Sequence, residues 1–351
     1  MFNTHSPVVI RFGRLGDTIL LQPLLKKLHL RYGRPCQLLT LGDWSPVLYS
    51  MQEEVGGFMT LRSQSGPLWL RPQRVRAAWA LRALRQSPFY IGEPEFRTRT
   101  KIRPMLALAG VPVENCSFIE DVAPIEEEHW VDWLLRFGDT TPSAFTHVPN
   151  LPMAGLAPAP HLRISDAEQA EADAWMRARG VTGRPLVLLQ PANKRTMRWN
   201  GVRRAADDDK SWPAERWAAL AGAIANDMPQ AQVLVCGSSA EAGYLDAIVA
   251  AIGSASNAVM AAALPLGCMK GLLGLAHSMV SVDTGPAHLA AAVGCPLVVL
   301  MGSRSPQTWM PRSASGSAVT LLGGLPRIRR VDELGTGQVI DAWRVLASRS
   351  A

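Results

Sequence analysis

The first group of residues that could do chemistry lies near the N-terminus, in the turn Gly13-Arg14-Leu15-Gly16-Asp17-Thr18. The β-branched run from Val8 to Phe12 predicts a buried strand before it, and an apolar stripe predicts a helix from Asp17 to Arg31. Backbone N–H groups and the helix dipole converge at such a junction, which therefore suits an anion or a reacting oxygen atom. Asp17 has two interpretations: a helix N-cap, where aspartate is favoured, or a general base that accepts a proton from an attacking hydroxyl. Spacing alone leaves both open.

A second strand–turn–helix pattern runs from Val280 to Leu289. Gly285 would let the backbone approach a ligand closely. The N–H groups at this helix start, together with the Thr284 hydroxyl, could bind a diphosphate, and His288 could add a hydrogen bond or a positive charge. The alternative is local: Asp283 or Thr284 caps the helix, and His288 packs or is solvated.

Two further charged residues stand near predicted helix starts. Lys210 precedes a helix that begins at Pro213, and it could reach a phosphate as a mobile point charge. Alternatively, it balances the acidic run at 207–209. Glu241 follows a predicted strand and Gly237, where a carboxylate can bind a ribose diol, as in dinucleotide sites. A carboxylate in a first helical turn also complements the helix dipole, and each residue, taken alone, favours its local interpretation.

The elements that must position these residues predict two α/β domains. Strands and helices alternate in both halves of the chain, and five prolines between residues 140 and 160 predict a linker. We therefore expect domains at 1–160 and 161–335, followed by a C-terminal helix at 336–351 that packs back on the first domain. In open α/β folds ligands bind at the carboxyl ends of the strands, so the expected site is a cleft between the two sheets.

Composition excludes several classes of protein. With 48% apolar and 19% charged residues among 351, the chain is not disordered, and its length is too great for one ordinary domain. The N-terminus lacks a signal-type pattern, and the longest apolar stretch is too short to span a bilayer. The five cysteines contain no CxxC pair, which predicts a reduced cytoplasmic protein without disulfides or a zinc site.

Positive charge is concentrated in one segment. The net charge is +7, and the segment from Arg62 to Arg103 holds ten basic and two acidic residues, with aromatic residues between them. Solvated helix faces explain some of these arginines, but an anionic substrate or anionic lipid headgroups explain the clustering better. No RRM, KH, zinc-finger or helix-turn-helix signature accompanies the segment, so nucleic acid is not expected as a partner.

Three segments, in this order, resemble the family 9 glycosyltransferases, the ADP-heptose:lipopolysaccharide heptosyltransferases. They are Ile10 to Leu20, Lys210 to Trp217, and Val282 to Gly294. The resemblance implies the GT-B fold, in which two Rossmann-like domains face an interdomain cleft. It places the acceptor on the N-terminal domain and the nucleotide-sugar on the C-terminal one. It also implies inverting transfer that needs neither a metal nor a cofactor.

The resemblance implies a role for each candidate residue. Asp17 becomes the general base that deprotonates the acceptor hydroxyl. The implied donor-binding residues are Lys210, Thr284 and Gly285 at the diphosphate, Asp283 and His288 beside the donor, and Glu241 at the adenosine ribose. We place Arg14, Gly16 and Arg62 on the acceptor side.

The implied partners are an ADP-heptose donor, an anionic lipopolysaccharide inner-core acceptor and, peripherally, the anionic cytoplasmic face of the inner membrane of a bacterium. The chain departs from the family in the turn at 190–193, in a longer loop at 194–209 and in the segment 302–306. These departures leave open another nucleotide-sugar donor, or a protein or O-antigen acceptor. A basic membrane-binding module without catalysis is the more remote alternative.

Overall fold

The computed structural model describes residues 5–62, 72–150, 155–194, 196–198, 201–202 and 207–348. Its contacts divide the chain into two compact units, Met1–Leu162 and Arg163–Ala351. Among the helices of these described residues, none is both long and apolar enough to cross a membrane.

The described residues of the first unit form a five-stranded parallel sheet. Its strands are β1 (Val8–Arg11), β2 (Cys36–Leu41), β3 (Val55–Leu61), β4 (Phe89–Ile91) and β5 (Cys116–Phe118), in the order β3-β2-β1-β4-β5. The helices are α1 (Leu15–Ile19), α2 (Gln22–Tyr32), α3 (Ser45–Leu48), α4 (Pro72–Ala83), α5 (Glu95–Arg97), α6 (Arg103–Ala109) and α7 (Trp130–Phe137). A π-helical turn, Thr98–Ile102, joins α5 to α6.

The central strand of this sheet, β1, was predicted, and the apolar run from Gln37 to Leu41 predicts its neighbour β2, but the other three strands were not predicted. β1 is fully buried, as its run of β-branched residues indicates. β3 was not predicted because it contains two glycines and is only half-buried. β4 and β5 were not predicted because each is only three residues long. Such short or glycine-bearing strands carry little periodic signal.

The single helix predicted from Asp17 to Arg31 is wrong, because α1 and α2 are separate helices. α1 ends at Ile19, and α2 begins at Gln22 with Pro23 in its first turn. Pro23 has no N–H to donate to the carbonyl four residues earlier, and its ring would clash with that carbonyl. The break leaves Asp17 in a short helix of its own, directly after β1.

The described residues of the second unit form a six-stranded parallel sheet and a small hairpin. The strands of the sheet are β6 (Leu186–Gln190), β9 (Gln232–Gly237), β10 (Ala258–Ala262), β11 (Ser278–Val282), β12 (Leu297–Met301) and β13 (Val319–Gly323), in the order β10-β9-β6-β11-β12-β13. The hairpin pairs β7 (Met197–Arg198) with β8 (Gly201–Val202). The helices are α8 (Asp166–Arg179), α9 (Ala214–Asp227), α10 (Ala242–Ile252), α11 (Leu266–Leu275), α12 (Gly285–Val293), α13 (Pro306–Trp309) and α14 (Thr336–Ala347).

The sequence predicts strands in this half at 185–190, 232–236, 258–260, 279–282 and 296–301. They are confirmed as β6, β9, β10, β11 and β12, whereas the edge strand β13 was not predicted. β6 lies between β9 and β11. The carboxyl ends of parallel strands meet at one edge of a sheet, so the loops that follow β6, β9 and β11 are neighbours. This arrangement determines which candidate residues come together.

The C-terminal helix α14 packs on the sheet of its own unit. Val339, Trp343 and Leu346 are buried in the core formed by α9, β11 and β12, and Trp343 Nε1 donates to Ser278 Oγ at 3.0 Å. We expected this helix to pack on the first domain. Its apolar face is instead used within the second unit, because that face covers the sheet.

Candidate functional site

Asp17 lies in the first turn of α1, directly after the carboxyl end of β1. The N-cap position is occupied by Arg14, whose backbone N–H donates to Asp17 Oδ2 at 2.9 Å. Asp17 is therefore not the N-cap residue. It is the third residue of the helix, and its carboxylate accepts the backbone N–H of the N-cap residue. The Asp17 side chain is 25% exposed, so it remains accessible to a substrate.

A buried arginine binds the other carboxylate oxygen of Asp17. Arg11 Nη2 donates to Asp17 Oδ1 at 2.8 Å, and Arg11 Nη1 donates to the Gly92 carbonyl at 2.7 Å. The guanidinium carbon lies 4.7 Å from the centre of the Trp130 ring, and the fully buried carboxylate of Glu93 lies 3.4 Å from Nη1. Neither Arg11 nor Glu93 was predicted as a site residue, although each stands at the carboxyl end of a buried apolar run.

The residues predicted on the acceptor side lie along the same edge of the first sheet. Arg14 is exposed, and the Gly16 carbonyl accepts the N–H of Leu20 at 3.0 Å. Arg62 is also exposed and directly follows β3, and its backbone N–H donates to Gln73 Oε1 at 3.1 Å. β1, β2 and β3 are parallel neighbours, so Arg62 shares the carboxyl edge of the sheet with the turn that holds Asp17.

In the second unit, Lys210 and Asp283 are in direct contact. Lys210 Nζ donates to Asp283 Oδ2 at 2.5 Å and to the Asp283 backbone carbonyl at 2.7 Å, across 73 residues of sequence. The ammonium group therefore does not balance the acidic run before it, although the Lys210 backbone N–H donates to Asp208 Oδ1 at 3.1 Å. The contact joins the Lys-Ser-Trp-Pro segment to the Asp-Thr-Gly turn after β11.

Buried aromatic residues fix the segment that carries Lys210. Trp212 and Trp217 are fully buried and pack edge to face, with ring centres 5.0 Å apart, and Trp212 Nε1 donates to the Leu334 carbonyl at 3.0 Å. On the other side of Lys210, Asp208 Oδ2 accepts the side-chain amide of Asn193 at 3.0 Å, which ties the segment to the loop after β6. Lys210 is thus positioned by neighbours on both sides.

The turn after β11 is extended and opens directly into α12. Thr284 occupies the N-cap position with φ −155° and ψ 169°, and within the described part of the chain its hydroxyl makes no capping hydrogen bond. The hydroxyl therefore does not serve the local role that was the alternative interpretation. Gly285 is the first residue of α12, and His288 lies one turn further on with 6% of its surface exposed. The arrangement suits a ligand held at the helix start.

Glu241 lies four residues after the end of β9, in the 3₁₀ turn Ser239–Glu241, and is 8% exposed. Its Oε2 accepts the backbone N–H of Ser238 at 2.7 Å and the Ser238 hydroxyl at 2.9 Å, so one oxygen serves the local helix start. Nearby, the phenol of Tyr244 is hydrogen-bonded to the side chain of Ser211, and burial raises the pKa of this phenol to about 12, with further raising contributions from Asp208 and Glu241. Glu241 therefore belongs to the same group of side chains as the Lys210 segment.

The segments that depart from the family pattern pack against one another. A Cβ atom on Gly302 would lie 2.3 Å from the Asp209 carbonyl oxygen, so this position after β12 has room only for glycine. Ser303 donates to the Asp209 carboxylate. Of the arginines in the loop at 194–209, Arg195, Arg203 and Arg204 lie outside the described residues, as does the part of the basic segment at 63–71.

The two edges offer different chemistry. At the edge of the first sheet a carboxylate is held by a guanidinium and a backbone N–H, which suits proton transfer. At the edge of the second, an ammonium group lies beside a helix start, which suits the charge of a diphosphate. Among the described residues, no three His, Cys, Asp or Glu side chains are grouped so that they could hold a metal ion.

Comparisons with known proteins agree with this architecture. The chain is 23% identical to lipopolysaccharide heptosyltransferase 2 of Escherichia coli K12 over 337 residues, which cover 93% of this chain and 90% of that protein. The crystal structure of a family 9 glycosyl transferase from Veillonella parvula matches with a TM-score of 0.75 at 16% identity and covers 99% of both chains. The structure of the E. coli ADP-heptose lipopolysaccharide heptosyltransferase II matches with a TM-score of 0.73 at 19% identity and covers 98% of this chain and 99% of that one.

The likeness to these structures confirms the predicted fold class, an α/β protein of the GT-B type with two parallel sheets. Residues 140–335, which are more than half of the chain, match glycosyltransferase family 9 (heptosyltransferase). With the Lys210 segment and the turn after β11 both inside that match, the chain belongs to glycosyltransferase family 9.

Proposed function

We propose that this protein transfers heptose from ADP-heptose to a hydroxyl of the lipopolysaccharide inner core, with inversion at the anomeric carbon and without a metal. The observation that carries the proposal is the contact between Lys210 and Asp283, because it assembles a cation and a helix start where a diphosphate would bind. Membership of the family supports sugar transfer. The similarity to an E. coli protein named for lipopolysaccharide heptosyl transfer supports the donor and the acceptor.

Residues 161–335 bind the donor in this proposal. An ammonium has three N–H donors, and Lys210 directs two of them at Asp283, so a third can reach a phosphate oxygen. The Thr284 hydroxyl and the Gly285 N–H bind the same diphosphate from the start of α12, with Asp283 and His288 beside the donor. Together these groups compensate the charge that develops on departing ADP, which is what the reaction needs when no metal supplies it.

Glu241 binds the adenosine ribose. One of its carboxylate oxygens already accepts two hydrogen bonds from Ser238. The proposal assigns the second oxygen to a ribose hydroxyl, as acidic residues after a strand do in dinucleotide sites.

Residues 1–160 bind the acceptor. Asp17 takes the proton from the attacking hydroxyl, since its carboxylate is partly exposed and held in place through both oxygens. Arg14 and Arg62 contribute positive charge along the same sheet edge, and Gly16 shapes the turn. An acceptor that carries phosphate or carboxylate groups matches this charge.

The test is to incubate the protein with ADP-heptose and a series of truncated core acceptors and to weigh the products by mass spectrometry. We expect the mass of one heptose to be added and ADP to be released, with the same rate in the presence of EDTA. Thermal stabilisation by ADP-heptose is compared with that by UDP- and GDP-sugars, since a specific ligand raises the melting temperature. Transfer from a UDP- or GDP-sugar alone, or transfer to a protein, would contradict the proposed substrates.

We also propose peripheral contact with an anionic membrane through a basic surface on the first unit. We define the basic surface as the exposed residues Arg76, Trp79, Arg82, Phe96 and Arg99. Trp79 and Phe96 are 68% and 69% exposed, and exposed Trp and Phe side chains accompany basic residues on segments that lie in the membrane interface. Basic residues beside exposed aromatic ones suit anionic headgroups.

Sedimentation with phosphatidylglycerol-containing vesicles tests this surface. Trp79→Ala and Arg76→Ala should each weaken vesicle binding, whereas Val113→Ala, at a residue that is 66% exposed elsewhere in the unit, should not. Binding to neutral and anionic vesicles alike, or tighter binding to RNA than to vesicles, would contradict the proposal.

A further inference from the structure

We propose that Arg11 is the positioning residue for Asp17 and that the buried carboxylate of Glu93 fixes Arg11. This inference rests on the proposed function in one respect, since it assumes that Asp17 is the group that takes the proton. The inference goes beyond the proposed function because it gives roles to two residues, Arg11 and Glu93, to which the family resemblance assigns none.

Both carboxylate oxygens of Asp17 are held from defined directions. Oδ1 accepts Arg11 Nη2 at 2.8 Å, and Oδ2 accepts the Arg14 backbone N–H at 2.9 Å. A carboxylate bound at both oxygens cannot rotate freely, and correct orientation of a base contributes strongly to rate. The backbone contact is fixed by α1, so the guanidinium of Arg11 decides how the carboxylate is turned.

Arg11 itself has little freedom to move. Its side chain is 6% exposed, its Nη1 donates to the Gly92 carbonyl at 2.7 Å, and the Trp130 ring covers the guanidinium at 4.7 Å. Because one arm of the guanidinium binds Gly92 while the other binds Asp17, the planar group sets both directions at once. A lysine in this place offers an ammonium of different shape and cannot reproduce both contacts.

Glu93 holds this arginine by charge. Its side chain has no exposed surface, and Oε1 accepts the Phe12 backbone N–H at 2.5 Å while lying 3.4 Å from Arg11 Nη1. Oε2 accepts Arg97 Nη1 at 3.2 Å. The result is an alternating row of charges, Asp17, Arg11, Glu93 and Arg97. A buried carboxylate is costly without a cation, so Glu93 keeps Arg11 where it is.

The contact between Arg11 and Asp17 also requires a glycine at position 13. A Cβ atom at this position would lie 2.3 Å from Asp17 Cβ, 2.9 Å from Asp17 Cγ and 3.2 Å from Arg11 Nε. No side chain can therefore occupy position 13 while Arg11 and Asp17 are in contact. The turn is constructed around this ion pair.

The experiment compares Arg11→Met, Arg11→Lys and Glu93→Gln with a matched control, Arg136→Met. Arg136 also binds a carboxylate and a carbonyl in the first unit: its Nε donates to Glu128 Oε1 at 2.6 Å, and its Nη2 donates to the Ala123 carbonyl at 2.8 Å. Sugar transfer is measured as kcat and as KM for the donor, and ADP affinity is measured by calorimetry. Exchange of the Arg14 backbone N–H with solvent deuterium is followed by NMR.

We expect Arg11→Met to lower kcat by roughly 10- to 100-fold, the cost of a misplaced group, while donor KM and ADP affinity stay within about twofold of the wild-type values. Arg11→Lys should restore part of kcat, and Glu93→Gln should lower it less than Arg11→Met does. The Arg14 amide should exchange about tenfold faster in Arg11→Met, because its acceptor is no longer held. The control should change neither kcat nor Arg14 exchange.

Two results would overturn the inference. One is unchanged Arg14 exchange in Arg11→Met, and the other is faster exchange with normal kcat. If the wild-type protein transfers no sugar at all but Arg14 exchange still rises in Arg11→Met, the proposed function fails while the positioning of Asp17 by Arg11 stands. Should Arg11→Met fail to fold, Arg11→Lys and Glu93→Gln are judged by the same two criteria.

Discussion

The two strand–turn–helix junctions of the chain look alike in sequence but are held together differently. At the junction of β1 and α1, Asp17 is bound by groups three and six residues away, Arg14 and Arg11. At the junction of β11 and α12, Asp283 is bound by Lys210, 73 residues away. The contacts that Asp17 itself receives are therefore local, although Arg11 is held in turn by Gly92 and Glu93. Asp283 is bound instead by a segment brought in from elsewhere in its unit.

In the proposed function the two junctions do different chemistry: the first accepts a proton and the second binds a diphosphate. A proton acceptor must be held rigidly, and near neighbours in sequence hold it at little entropic cost. A ligand site for a diphosphate needs a cation that can release part of its contact to the ligand, and a residue on a distant segment can supply one. We expect substitutions at the first junction to change turnover and substitutions at the second to change donor affinity.

Asp17→Asn should have the largest effect. The variant keeps the shape of the side chain but cannot accept the proton, so kcat should fall by about 10²- to 10⁴-fold, the usual contribution of a general base. Calorimetry should show ADP affinity within about twofold of the wild-type value. Weakened ADP binding with normal turnover would break the comparison, because it would give Asp17 the role assigned to Asp283.

Lys210→Ala should act on binding. Loss of the ammonium removes a charge-assisted hydrogen bond to the diphosphate and leaves the Asp283 carboxylate, 9% exposed, without this cation. We expect ADP to bind roughly 10- to 100-fold more weakly by calorimetry, in line with the loss of a charged hydrogen bond. Lys26→Ala, at an exposed lysine on α2, is the control and should leave ADP affinity unchanged.

Two glycines allow the turn after β1 and the loop after β12 to be compared by the same change. Gly302→Ala places a methyl group against backbone atoms, the carbonyls of Asp209 and Arg329, which cannot move cheaply. We expect it to lower the free energy of unfolding by about 1–3 kcal/mol. Gly13→Ala places a methyl group 2.3 Å from Asp17 Cβ, an atom whose position is fixed by the backbone of α1. The turn that carries Asp17 must therefore shift, and we expect kcat to fall together with the melting temperature.

The control for these two variants is Gly243→Ala. A Cβ atom there meets nothing within 4 Å, and the residue lies in α10, so the substitution should raise the melting temperature slightly. If Gly302→Ala melted at the wild-type temperature, the tight packing of the loop after β12 against the Asp209 backbone would be contradicted.

Glu241→Gln should have the smallest effect. The amide keeps an oxygen that can accept from Ser238, so the local helix start survives. Only the contact proposed for the ribose loses its charge, and we expect ADP affinity to fall by about threefold to tenfold. Equal loss for ADP and inorganic pyrophosphate would contradict a ribose contact, because pyrophosphate has no ribose.

Features of the fold and the site that depend on local sequence could be predicted, whereas features that depend on contacts between distant segments could not. Five strands of the second sheet, β6, β9, β10, β11 and β12, are largely apolar runs of five or six residues and were predicted, whereas β4 and β5 are too short to show a pattern. Asp17 was singled out because its turn is local. Its partner Arg11 was missed, since only the pairing of β1 with β4 brings it beside Gly92 and Glu93.

Lys210 shows the limit most clearly. The adjacent acidic run made a local charge balance the better interpretation of this lysine, and its contact with Asp283 could not be deduced from spacing. That contact exists because Trp212 and Trp217 bury the segment and Asp208 ties it to the loop after β6. Packing between distant segments cannot be predicted from any single segment of the sequence.

The position of α14 has a consequence for synthesis of the protein. The core of the second unit is completed by Val339, Trp343 and Leu346, from the last helix that the described chain contains. A ribosome releases the N-terminal part of a chain first, and domains generally fold as units. Every described strand of the first unit has emerged once Phe118 has been made. In the second unit α9 and α10 cover part of one face of the sheet, but the part of that face over β11 and β12 lacks α14 until residue 346 has been added. The newly made chain therefore carries the turn with Asp17 in a nearly finished unit while the unit with the Asp283 turn still lacks α14.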